Sequence, residues 1–188
     1  LRAIGYSFPT DVADIVDNSI SAEATRIDLF FDPIADKPFF CVLDNGYGMG
    51  VNELNNAMLP GSDRSYKKDS ESELGRFGLG LKSASLSQCR QFTVVAKKDG
   101  AINAMSFDLD IIEKSNKLML SVLNENEYTA IPYFSSLDSY DSGTLVVWNK
   151  FDKLEASSKN FEDSFRSLVA DTKRHLELVF HRFYDDIE

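Results

Sequence analysis

The stretch Asp44-Asn45-Gly46-Tyr47-Gly48-Met49-Gly50 follows directly on an apolar run, Phe39-Phe40-Cys41-Val42-Leu43. That run is short and rich in β-formers, so it reads as a buried strand. An acid then sits at the strand's end, and Gly46, Gly48 and Gly50 strip side chains from the backbone that follows. A strand that ends this way can bring main chain close to a ligand, with one carboxylate left as the polar reader. Asp-Asn-Gly is also an ordinary tight-turn signature, so by itself the stretch leaves a turn and a ligand loop both open.

The bulk properties narrow the classes. A chain of 188 residues, 43% hydrophobic and 27% charged, suits a single domain over 1–188 with one core. The net charge of −10 argues against the bulk surface as a nucleic-acid footprint, although a basic cluster such as Arg64 to Lys68 can act locally. No run approaches the roughly 20 apolar residues that a membrane span requires, so no membrane partner is expected. Cys41 and Cys89 lack metal or framework spacing and are expected to be reduced and buried, which fits a cytoplasmic setting. The chain begins at Leu1 and stops just after an amphipathic helix, so it is expected to be an N-terminal fragment of a longer protein.

Pro9 and Thr10 open a helix that is expected to run to about Ala24, with Val12, Ile15, Val16 and Ile20 at helical spacing. Asp11, Asp14 and Asn18 share one face of it, with Asp17 and Ser21 beside them. Such a face can hold a hydrated cation and a water, or it can simply be solvated, with acids favoured by the helix dipole. Strands are expected over Thr25 to Asp32, Phe39 to Leu43, Gln91 to Ala96, Ala101 to Leu109 and Leu145 to Trp148. Lys98-Asp99-Gly100 carries strong hairpin chemistry. A short helix is expected from Val51 to Met58, and a long one from Phe161 to Phe183. Leu59 to Leu74 is polar and reads as a long loop or lid, taken as about 59–80. After it come Gly75-Arg76-Phe77-Gly78-Leu79-Gly80-Leu81-Lys82, then a helix-like run through Gln88, a natural anion site but also a common capping pattern. Asp108 to Tyr140 is less legible, with a strand expected somewhere in Lys117 to Leu123.

Taken in order, Asp14-Ile15-Val16-Asp17-Asn18, Asp44 to Met49, Gly75 to Lys82 and Gly143-Thr144 resemble the four motifs of the GHKL ATPases. That superfamily includes gyrase B, the heat-shock ninety chaperone, MutL and the sensor histidine kinases. The Gly-Leu-Gly-Leu-Lys-Ser run looks most like the Microrchidia-type branch and its bacterial relatives. The resemblance implies an α+β fold of Bergerat type, a two-layer α/β sandwich with a mixed sheet and helices on one face. It implies ATP and Mg²⁺ as cofactors, with Asn18 as the metal-binding residue and Asp14 as the general base. Many relatives carry Glu at that position, so Asp14 shortens the reach by one methylene. Asp44 matches the carboxylate that accepts from the adenine amino group, with Gly46, Gly48 and Met49 lining the base and Thr144 supporting the contact. Gly75, Gly78, Leu79, Gly80 and Lys82 match the phosphate-cradling segment.

The leading expectation is therefore a Mg²⁺-dependent ATPase domain in which nucleotide closes the lid, promotes homodimerisation and drives a larger machine. A non-hydrolysing nucleotide sensor is the alternative, motivated by aspartate at position 14. The catalytic half of a histidine kinase is a third, which Lys82 and the Thr144 strand fit less well. The effector domain, and any nucleic-acid or protein client, are not legible in these residues.

Overall fold

A computed structural model describes residues 7–59 and 77–181, with the side chains of 77–79 excepted. Its elements are α1 (Phe8–Ser21), β1 (Ile27–Asp32), β2 (Phe39–Asp44), α2 (Val51–Met58), α3 (Phe77–Gln88), β3 (Gln91–Lys98), β4 (Ala101–Asp108), α4 (Leu109–Ser115), β5 (Ser121–Val122), α5 (Glu125–Tyr128), α6 (Phe134–Asp138), β6 (Gly143–Asn149), α7 (Asp152–Ser157) and α8 (Phe161–Val179).

The six strands form one sheet in the order β1-β2-β6-β3-β4-β5. The expected α+β sandwich is present, but the sheet is antiparallel at every pairing rather than mixed. The reason lies in β6. Strands β2 and β3 run in the same direction, as a crossover through α2 and α3 dictates, and would pair in parallel if adjacent. Strand β6 enters between them and runs against both, so each ladder becomes antiparallel. The β3–β4 turn places Asp99 at φ 52° and Gly100 at φ 74°, the two left-handed residues that a tight two-residue hairpin demands.

Alternation along the strands sorts side chains onto two faces. Phe40, Val42, Phe92, Val94, Met105, Phe107, Val146 and Trp148 meet α1, α3 and α8 in the main core. Phe8 on α1 stands edge-on to Phe40 at 5.2 Å and to Trp148 at 5.5 Å, and Trp148 Nε1 donates to Ser85 Oγ at 2.8 Å. The opposite face, expected to carry no helices, is covered by the 124–140 segment. Leu137, Tyr128, Ile131 and Phe134 close over Phe39, Cys41, Leu43, Leu145 and Val147. Helices α5 and α6 in that segment are too short to show a period among polar neighbours, which is why the sequence hides them.

Other boundaries shift modestly. Helix α3 begins at Phe77, so Gly78 and Gly80 lie in its first turn and not in a loop before it. Helices α4 and α7 carry no signal in the sequence, and the strand expected in Lys117 to Leu123 narrows to Ser121–Val122. Most of the lid expected over 59–80 lies outside the described residues. No helix among the described residues is long and apolar enough to cross a membrane.

Helix α8 is fastened through Phe165, which is fully buried and meets the rings of Phe8, Phe31, Phe151 and Phe161. In urea unfolding, Phe165→Ala is expected to lower stability by about 3–5 kcal/mol. Leu178→Ala, at a site 76% exposed on the same helix, should stay within about 0.5 kcal/mol of the parent.

Candidate functional site

Antiparallel register sets Asp44, the last residue of β2, directly opposite Thr144, the second residue of β6. Both share strand parity with Val42 and Val146, so both face the helical layer. Asp44 is 4% exposed. Its Oδ1 accepts the Gly46 N–H at 2.9 Å and the Thr144 N–H at 3.2 Å, and its Oδ2 accepts the Ser19 hydroxyl at 2.8 Å. Burial pushes the Asp44 carboxyl above the ordinary carboxylate value, while these three hydrogen bonds pull the other way. A carboxylate offers about four acceptor positions, so one remains to meet a ligand.

Above it opens a cleft of about 580 Å³, counting space open to solvent. Asn18, Ser19 and Ala22 of α1, Tyr47, Gly48 and Met49 of the glycine loop, and Thr144 of β6 line it together with Asp44. The wall is largely apolar, with one buried acid at its base, as a planar, mostly apolar ligand with one polar edge requires.

The loop between β2 and α2 is held from several sides. Asn45 Oδ1 accepts the N–H groups of Thr25 and Arg26 at 2.9 and 2.8 Å, Tyr47 N donates to the Ala22 carbonyl at 3.0 Å, and Ser142 Oγ donates to the Gly46 carbonyl at 2.7 Å. Gly48 sits at φ +64°, and a Cβ there would lie 2.0 Å from the Lys97 carbonyl oxygen. A Cβ on Gly46 would lie 2.7 Å from the Ala22 carbonyl oxygen. Both glycines are thus required by the protein's own close packing, before any ligand is considered.

The residues singled out from the sequence divide into groups. Asn18, Asp44, Gly48, Met49 and Thr144 line one cleft, and Gly46 is bonded to Asp44 beside it. A Cβ on Gly80 would stand 4.0 Å from Asn18 Nδ2, so the start of α3 approaches the same end of α1. Gly75 lies outside the described residues, and of Gly78 and Leu79 only the helical backbone is described. Lys82 is buried and donates to the Leu59 carbonyl, and it does not line the cleft. Asp14 is exposed and does not line the cleft either; partial loss of water on its protein-facing side first, and repulsion from Asp17 second, push its pKa up.

Asp11 departs from the face it was read with. It is fully buried and accepts from Ser87 Oγ and Gln88 Nε2, joining α1 to α3. Ser19, Tyr47 and Glu53, to which the sequence assigns no site role, also line the cleft. For Ser19 a signal existed: it follows Asn18 on α1 and falls at helical spacing with Val12, Ile15 and Val16 of the buried side.

The sequence profile of a family described as histidine kinase-, DNA gyrase B-, and HSP90-like ATPase matches residues 6–144. ATPase MORC2B of Mus musculus is 28% identical over 143 residues, covering 73% of this chain and 14% of that protein. ATPase morc-1 of Caenorhabditis elegans is 35% identical over 96 residues, covering 50% of this chain and 11% of that protein. ATPase MORC2 of Homo sapiens is 26% identical over 143 residues, with 73% and 14% covered. The chain spans about one seventh, or 14%, of the length of the longest-matching of these relatives.

A raised carboxyl pKa means that the folded state holds the proton more tightly than the unfolded state does. The contribution of Asp44 to stability is therefore full below the ordinary carboxylate range and is lost as pH rises through its folded value. In thermal unfolding between pH 4 and 8, Asp44→Asn is expected to be at least as stable as the parent at pH 7. That advantage should shrink as pH falls through the raised folded value of Asp44 towards the ordinary carboxylate range of about 4. Asp11 and Asp14 shift the same way in both proteins, so the difference isolates Asp44.

Proposed function

This chain belongs to the family of histidine kinase-, DNA gyrase B-, and HSP90-like ATPases, and from that premise we propose that its cleft binds ATP and hydrolyses it with magnesium. The observation that carries the reading is the buried Asp44 carboxylate, held by three hydrogen bonds at the base of an apolar cleft. An amino group on a purine edge is the donor that such a carboxylate lacks. Met49, Ile15, Leu81 and Val146 give the ring an apolar bed, and Thr144 holds the carboxylate in plane through its backbone N–H.

Asn18 lines the same cleft one helical turn beyond Asp14, and its side chain lies near Gly80 at the start of α3, which supports assigning it to the phosphate end. A neutral amide oxygen, joined by waters and phosphate oxygens, suits magnesium, whose charge would offset that of the phosphates when bound. Gly75, Gly78, Leu79, Gly80 and Lys82 are assigned to the phosphate end on their motif order, and Asp14 to orienting the attacking water. A carboxyl whose pKa is pushed up is a stronger base, while the shorter aspartate reach slows the step. Nucleotide is further read as drawing the 59–80 segment over the phosphates and bringing two copies together.

One observation favours a second reading, a nucleotide sensor that does not turn over: Asp14 is not among the cleft-lining residues. Calorimetry and phosphate release separate the two. ATP binding with slow release that falls at least tenfold in Asp14→Ala, with Kd unchanged, is the expected result. Asn18→Ala should weaken binding in magnesium but leave the magnesium-free affinity unchanged. Equal release rates in the parent and Asp14→Ala would sink the catalytic assignment, and binding without release would leave the sensor.

A further inference from the structure

The hairpin of β3 and β4 reaches the cleft wall through a charged pair with no role in the reading above. Glu53, in the first turn of α2, accepts the Gly50 N–H on Oε2 at 2.7 Å. The same carboxylate takes the Lys98 ammonium at 2.8 Å on Oε2 and 3.0 Å on Oε1. Lys98 is the last residue of β3, and its Nζ lies 5.7 Å from the centre of the Tyr47 ring. From β4, Asn103 Nδ2 donates to the Met49 carbonyl at 3.4 Å. The hairpin thus grips the loop at Tyr47, Met49 and Gly50, three residues next to the tight approach of Gly48 to Lys97.

We propose that Lys98 and Glu53 are positioning residues for the nucleotide, a latch that pins the Glu53 carboxylate onto Gly50 and away from the bound anion. This rests on the nucleotide reading of the cleft. Glu53 lines that cleft together with Asp44, so two carboxylates border a space meant to admit a polyanion. Asp44 is held at the base of the cleft by its three donors, with its remaining acceptor position assigned to the base. Glu53 is kept harmless only while Lys98 neutralises it and the Gly50 N–H orients it. An isolated surface pair would contribute little. Here both partners are partly buried, at 29% and 40% side-chain exposure, and the carboxylate also caps a helix whose first N–H groups have no partner within it. Releasing Lys98 frees a negative charge at the cleft wall and loosens the loop that forms it.

Magnesium-ATP titrations of the full chain test this with a set of variants. Lys98→Met should raise Kd about three- to tenfold, with kcat unchanged and KM rising in step. Lys98→Arg should restore the parent Kd, and the double variant Lys98→Met with Glu53→Gln should recover most of the affinity, because the amide still caps Gly50 without bringing charge. A merely structural role would make the double variant worse than the single one. Lys173→Met on the exposed side of α8 removes one positive charge elsewhere and should leave Kd unchanged. Parent-like Kd in Lys98→Met, or no recovery in the double variant, overturns the latch while leaving the nucleotide reading intact. Failure of the parent to bind ATP sinks both.

Discussion

A carboxylate without its own share of water is expensive to keep in a protein, and the design of this chain follows from keeping one at Asp44. Three donors reach it from three parts of the sequence: Ser19 from α1, Gly46 from the loop after β2, and Thr144 from β6. Their convergence fixes the register of β2 against β6, because a slip of one residue would turn both Asp44 and Thr144 towards the opposite layer. It also fixes how far α1 can sit from the sheet. The interaction holds the carboxylate without neutralising it, so the group stays raised in pKa and retains an acceptor position. A site that is less comfortable than its surroundings is what selective recognition of a donor needs.

The glycines serve the same end by a route that spacing alone does not reveal. Three glycines beyond a strand read naturally as clearance for a ligand. Gly46 and Gly48 are first clearance for the Ala22 and Lys97 carbonyls, and Gly143 likewise clears the Asp44 carbonyl, 2.2 Å from where a Cβ would stand. The loop can therefore lie tight against β3 and β6. Room for a flat ring follows because the protein's own backbone is packed so closely around it.

Much of this was visible beforehand. The strands and α2 followed from composition and period, since Val42, Val94 and Val146 alternate with residues of the second face and Leu54, Ala57 and Met58 recur on one side of a helix. Asp44 and Gly48 stand out because an acid and glycines follow an apolar run, and Asn18 because it shares a polar helix face, whereas Met49 and Thr144 were legible only through the resemblance of the motif order. What stayed hidden depends on long-range pairing. Nothing local says that β6 inserts between β2 and β3, and the all-antiparallel sheet follows from that insertion. Ser19 reads as one more helix serine until β2 is placed beneath it, and Asp11 looks like a companion of Asp14 until Ser87 and Gln88 arrive from α3. The covering of the second face by Tyr128, Ile131 and Leu137 has no period to detect.

The central claim is that Asp44 reads an exocyclic amino group on a purine. Comparing ATP with inosine triphosphate in magnesium, by calorimetry on the parent protein, addresses it directly. The two ligands share sugar, phosphates and purine skeleton, but the second presents a carbonyl oxygen and an N1–H where the first presents an amine and a bare N1. ATP is expected to bind at least about tenfold more tightly, because a carbonyl facing a carboxylate leaves both acceptors unsatisfied. Equal affinities for the two nucleotides would contradict the account.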